Sequence, residues 1–184
     1  FSFALNNFNP ALFLNHYFKL PKISGYMSIS GTIAGNGMNE HELMTRIYGD
    51  VKVVGKKVRW NGFDLASIIK TVEYKMPYNQ KLENLRISIA NGDTEFEDVT
   101  GAIKYSKGIA TLQEFDLVNN RARGRYSANV DFVNGLVNSI CKISFIPVGF
   151  ASIPLTIELS SNGKLETQTT NVNLESINKF LQNQ

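Results

Sequence analysis

The sequence predicts a mainly β (α+β) domain: a curved antiparallel sheet with two or three short packing helices. Three observations carry this. From Asn91 onward apolar residues recur at every second position, with turn residues breaking the pattern every eight to twelve residues or so, the mark of consecutive antiparallel strands. Helical spacing is confined to short stretches, the clearest being Leu65, Ile68, Ile69 and Val72 at i, i+3, i+4 and i+7. With 184 residues, 43% of them hydrophobic and 19% charged, the chain is long and apolar enough for one core without disulfide or metal support.

The elements follow in order. Pro10 suits the first position of a helical turn over Ala11 to Phe18, which Pro21 ends. Met27, Ile29 and Ile33 then alternate with small polar residues as a strand, broken by Gly35-Asn36-Gly37. Asn39, with Glu42 three residues on, caps a short helix that Gly49-Asp50 stops. Val51 to Trp60 reads as a strand with a glycine kink or turn at Gly55. Asn61-Gly62 turns the chain into the amphipathic helix of Leu65 to Val72, and Pro77 closes that stretch. Leu85-Arg86-Ile87-Ser88-Ile89 alternates as a short strand.

Further strands are expected over Phe96 to Tyr105 and Ile109 to Leu117, separated by Ser106-Lys107-Gly108. The cleanest follows Asn119-Asn120. Ala122, Gly124, Tyr126, Ala128, Val130 and Phe132 share one face, and Arg121, Arg123, Arg125, Ser127, Asn129 and Asp131 the other. Two more are expected at Ile140 to Ile146 and Ile153 to Leu159, with a hairpin-type turn at Ser161-Asn162-Gly163. A last short helix carries Leu174, Ile177, Phe180 and Leu181, with Asn173 as its cap.

Composition excludes several classes. The charge of +3, from 19 basic and 16 acidic residues, is too small and scattered for a nucleic-acid surface. One cysteine and two histidines supply neither an internal disulfide nor a zinc framework. No apolar run approaches the 18 or so residues of a membrane-spanning helix. The chain opens on Phe1-Ser2-Phe3-Ala4-Leu5, without methionine or a signal-peptide plan, so residues 1–184 are expected to be one domain segment of a longer chain.

The search for chemistry yields little. His41 sits between Glu40 and Glu42, but adjacent helical residues point in different directions and form no chelate. Cys141 reads as a small buried hydrophobe, although its side should lie opposite Ile140, which leaves room for partial exposure. No serine occupies a Gly-x-Ser-x-Gly elbow. Gly31, Gly35 and Gly37 lack the Lys-Ser or Lys-Thr of a phosphate loop. Asp93, Glu95, Glu97 and Asp98 form the one acidic cluster, best explained as a solvated strand face. The sharpest electrostatic feature is the stripe Arg121, Arg123, Arg125. It suits anionic lipid headgroups, or else a solvated outer sheet face or cross-strand pairing with residues such as Glu114 or Asp116.

The order of motifs resembles the C-terminal region of the AsmA family. The resemblance rests on Gly35-Asn36-Gly37, Glu42-Leu43-Met44, Ile47-Tyr48-Gly49-Asp50-Val51-Lys52-Val53 and Asn61-Gly62-Phe63-Asp64-Leu65. It continues through Thr94-Glu95-Phe96, Lys107-Gly108 with Leu112 and Phe115-Asp116-Leu117, the stretch Gly124 to Phe132, and Ile153-Pro154-Leu155. It covers roughly residues 25 to 160 and departs at Val58 and Ala128, where glycine is usual.

The resemblance implies a periplasmic segment of a Gram-negative envelope protein, held to the inner membrane by an upstream anchor. It implies a role in phospholipid transport towards the outer membrane and in outer-membrane homeostasis. It brings no catalytic residue, metal or cofactor, so the chain is expected to be non-catalytic, without nucleic-acid partners. The expected partner is the phospholipid acyl chain, lying in an apolar trough on the sheet. Candidate trough residues are Tyr126, Val130 and Phe132, joined from later strands by Ile140, Ile153, Leu155 and Ile157; Arg121, Arg123 and Arg125 are the headgroup candidates. The same alternation also suits a closed core beneath the Leu65 to Val72 helix. The alternative role is a scaffold or chaperone-like module that assists outer-membrane proteins through a sheet edge.

Overall fold

The computed structural model describes residues 1–12, 23–149, 153–165, 167 and 169–182. Nine strands among them form one curved, open antiparallel sheet in chain order. They are β1 (Ser2–Phe8), β2 (Ile23–Ala34), β3 (Tyr48–Asn61), β4 (Asp93–Ser106), β5 (Ile109–Asn119), β6 (Ala122–Asp131), β7 (Leu136–Phe145), β8 (Leu155–Lys164) and β9 (Thr169–Asn173). β1 and β9 are its edges. Among the described residues, α1 (Glu40–Arg46) follows β2, α2 (Leu65–Glu73) and α3 (Tyr78–Ala90) follow β3, and α4 (Glu175–Gln182) follows β9.

The strands form where apolar and polar residues alternate, because alternate side chains leave opposite faces of a pleated strand. In β7, Val137, Ser139, Cys141, Ile143 and Phe145 are buried, while the residues between them are exposed or half-buried. The sheet curls because its inner face mixes large side chains with glycine and because bulges sharpen the twist. A Cβ on Gly101 would stand 2.5 Å from the Phe115 ring, which fills that space. The register slips where β4 meets β5 between Thr100 and Ala102, and where β5 meets β6 between Leu112 and Phe115. Glu114, with φ 46°, lies in the second irregularity.

One end of the inner face is plugged by helices. Leu65, Ile68, Ile69 and Val72 of α2 are all buried in the core with Phe96, Val99, Leu117, Ile143 and Ile157. Burial of each such side chain contributes about 1.5–3 kcal/mol. Asp64 caps α2 by accepting from Ser67 N at 2.9 Å. Thr94 locks the same end to β4: its hydroxyl donates to Phe63 O at 2.8 Å and accepts from Leu65 N at 3.1 Å. α4 lays Ile177 and Leu181 into the core, with Asn173 accepting from Glu175 N.

Four expectations need correction. Leu85 to Ile89 belong to helix α3, whose buried positions Lys81, Leu85 and Ser88 keep helical spacing; Leu85 packs into the core while Ile87 stays exposed. The irregularity of β3 lies at Lys57, with φ 50°, rather than at Gly55. Ser161-Asn162-Gly163 continues β8, opposite Ser139, Asn138 and Val137, so the hairpin turns later. Gly49-Asp50 belongs to β3; α1 ends at the Ile47 cap. Two strands go beyond the elements expected: β1, in which Phe3, Ala4, Leu5 and Phe8 surround Asn6 and Asn7, and β9, whose one large apolar residue is Val172. Of the expected first helical turn, residues 10–12 are helical and the remainder lies outside the described residues.

Candidate functional site

The strand registers trace the inner face row by row. One row runs Phe3, Gly31, Val51, Ile103, Leu112 and Ala128 from β1 to β6. A neighbouring row, one step further from α2, includes Ile33, Gly49, Tyr105, Ala110, Val130 and Val137. Beneath the helices the inner face is sealed, with Ile68, Val72, Ile143 and Ile157 at 0% exposure. Away from them the seal opens: Ile29, Val51, Ile103, Leu112 and Val130 are each half-buried. The inner face is therefore an apolar trough, packed at one end and partly uncovered at the other. Beyond the open end, the Tyr105 hydroxyl donates to Met44 O of α1 at 3.0 Å, and its ring lies 6.1 Å from that of Phe132.

The expected trough residues separate into three groups. Tyr126, Val130 and Phe132 are half-buried on the inner side, in or just past β6. Leu155 and Ile157 are on the same face but belong to the sealed core, at 3% and 0% exposure. Ile140 and Ile153 are not brought there. Ile140 is one residue out of phase with buried Cys141 and points to the outer face at 37% exposure. Ile153 precedes β8 and is 64% exposed. A one-residue offset in a strand exchanges the two faces.

The arginine stripe is already engaged. Arg121 forms an ion pair with Glu73 at the end of α2. Arg123 donates to Asn119 O and Ala122 O at 2.7 and 3.0 Å. Arg125 faces its cross-strand partner Asp116 at 3.7 Å, as the pairing alternative expects. Three members of the acidic cluster are likewise paired: Arg59 reaches Glu95 at 3.0 Å and Asp93 at 3.9 Å, and Lys56 pairs with Asp98.

The titratable groups near the inner face are quiet. Burial pushes the Cys141 thiol up to about 12, so it is protonated at neutral pH. Burial also raises Tyr126, which hydrogen-bonds Ser139. His41 is exposed on α1, at the other end of the strands from Asp93 and Glu95. Among the described residues, no three His, Cys, Asp or Glu side chains gather as a metal site, and no helix is long and apolar enough to cross a membrane.

Sequence reasoning missed Ile29, Val51, Ile103 and Leu112 as trough residues, although their alternation within each strand was the available signal. A depression of about 820 Å³ lies over the β5 irregularity, lined by residues of both strand parities, among them Ala102, Leu112, Gln113, Ala128, Ser139 and Ile140. Its walls are polar and apolar in nearly equal measure. Comparisons with protein-family models, curated proteins and solved structures give no match to this chain.

Proposed function

We propose that this chain is a non-catalytic lipid-holding segment of an AsmA-like periplasmic envelope protein, serving phospholipid transport between inner and outer membranes and outer-membrane homeostasis. One observation carries the reading: the half-buried inner-face residues Ile29, Val51, Ile103 and Leu112 continue the core past the end of its helical cover, with half-buried Val130 next along the same face. From β2 to β6 this run follows four inter-strand steps, a contour of roughly 20 Å. That is comparable with one leaflet's share of a hydrocarbon core about 30 Å thick. Acyl chains ask for continuous apolar surface and no directional partner, which is what such a face offers.

Native mass spectrometry of the purified protein, followed by lipid extraction, tests this. Phospholipid is expected to co-purify at near-stoichiometric amounts and to be lost on Val130→Glu or Leu112→Glu. A clean apo mass with no lipid uptake on incubation would sink the reading and leave a closed structural module.

One observation favours the second reading, a scaffold that engages outer-membrane proteins by strand addition. Neither edge strand, Ser2–Phe8 nor Thr169–Asn173, carries a charged residue, and edges that avoid pairing usually carry them. Lysine placed at Ala4 would then weaken partner capture while leaving lipid content unchanged.

A further inference from the structure

An asparagine followed by glycine exposes its side-chain amide to attack by the next backbone nitrogen, because glycine has no Cβ to crowd the approach. The chain holds five such pairs, at Asn36, Asn61, Asn91, Asn134 and Asn162. All five asparagines are exposed, so access to water does not distinguish them. What distinguishes them is how firmly each is held.

Asn61 lies in β3 opposite Asp93, and Gly62 N donates to Gly92 O at 3.0 Å. Asn91 closes α3, its backbone N and its Nδ2 both donating to Ile87 O, at 3.1 and 3.3 Å. Asn134 Nδ2 donates to Asp131 Oδ2 at 2.7 Å, and its backbone N to Asp131 Oδ1 at 2.9 Å. Asn162 and Gly163 lie inside β8, opposite Asn138 and Val137. Asn36 is the exception. Among the described residues no hydrogen bond engages its side chain or Gly37 N. β2 ends at Ala34, and the chain is next fixed at Met38 N, which donates to Glu42 Oε2 at 3.0 Å. A Cβ on Gly35 would stand 2.7 Å from Ile47 Cα, and one on Gly37 2.6 Å from Leu43 N. Close packing against α1 therefore fixes glycine on both sides of Asn36.

We infer that Asn36 is a site of spontaneous covalent modification, deamidating to aspartate and isoaspartate ahead of the other four. Gly37 N gives up its proton to water and attacks Asn36 Cγ, forming the C–N bond of a cyclic succinimide as ammonia leaves. Water then opens the ring at either carbonyl, so the net change is one water taken up and one ammonia released. The attack needs side chain and backbone to rotate into line, which hydrogen-bonded pairs reach only by local opening. Modification lowers the net charge of +3 by one. In isoaspartate it also adds a carbon to the backbone leading into α1. Neither the trough nor α2 takes part, so the reaction is independent of lipid binding.

Ageing the purified protein in mildly alkaline buffer, followed by peptide mapping with mass spectrometry, tests the inference. In the folded protein Asn36 is expected to convert roughly tenfold faster than any other pair, the protection that one ordinary hydrogen bond gives the rest. In concentrated urea the five rates are expected to converge, because the same dipeptide is then held nowhere. Asn36→Gln, at an exposed position, is expected to remove the early acidic species on ion exchange and to leave the thermal transition unchanged. Equal rates in the folded protein, another pair in the lead, or an Asn36 lead undiminished in urea would overturn the inference. So would early acidic species that persist in Asn36→Gln.

Discussion

Trp60 of β3 and Tyr126 of β6 meet edge to face, with ring centroids 5.8 Å apart and planes at 85°, although β4 and β5 lie between them in the sheet. In a flat sheet three inter-strand steps would hold these strands about 14 Å apart. The contact is thus a direct measure of how far the inner face closes on itself. Trp60 also packs edge-on against Phe63, 5.6 Å away, at the entry to α2.

A double-mutant cycle with Trp60→Leu and Tyr126→Leu should give a coupling of about 0.5–1.5 kcal/mol, the usual range for aromatic pairs in this geometry. Denaturant unfolding of the four proteins provides the measurement. Strict additivity would mean that the two strands do not approach each other in solution.

Thr94→Val should cost about 1–3 kcal/mol, because it keeps the shape but leaves Leu65 N and Phe63 O without their buried partner. Thr100→Val, on an exposed position of the same strand, should change stability by less than about 0.5 kcal/mol. Comparison of their urea midpoints decides this.

Gly101→Ala should destabilise by about 1–3 kcal/mol through overpacking against the Phe115 ring. If the collision is the cause, adding Phe115→Leu should recover part of the loss. A double variant no more stable than either single one would point instead to the backbone.

How much of this was legible beforehand depends on parity. Ala122 to Phe132 alternates without a break, and β6 could be read directly. α3 could not, because Leu85, Ile87 and Ile89 alternate as a strand does, while two of its buried helical positions are Lys81 and Ser88. Lys81 is held there with its ammonium donating to Val72 O at 3.3 Å. β9 has one large apolar residue, Val172, and shows itself only by pairing with β8. For the site, alternation placed Tyr126 and Val130 on one face but could not say where the helical cover ends. The choice of Ile140 over Cys141 shows that a strand boundary misjudged by one residue exchanges inside for outside.

Cys141 gives the fold an alkaline dependence. Its pKa is about 12 in the folded chain and about 8.5 when unfolded. The native state therefore holds this proton longer, so the stabilisation is complete below about pH 8.5 and is lost as the pH rises towards 12. Lys81, whose pKa burial lowers, works in the opposite sense, since its cost to the folded state fades as the pH approaches about 10.4. Between pH 8 and 10 the parent should lose roughly 2 kcal/mol more than Cys141→Ala. Urea titrations at the two pH values would check this, and parallel losses would contradict a buried thiol.

The order β1 to β9 has one more implication. Every strand lies beside the strands that precede and follow it in the chain, so no late segment has to thread between two earlier ones. From β4 onward each pairing closes a short loop at low entropic cost, whereas longer connections join β1 to β2, β2 to β3 through α1, and β3 to β4 through α2 and α3. Such a ribbon can be lengthened or shortened by whole hairpins without rearranging what remains. Its reach is thus a quantity that insertion and deletion can tune, independently of the packing under α2.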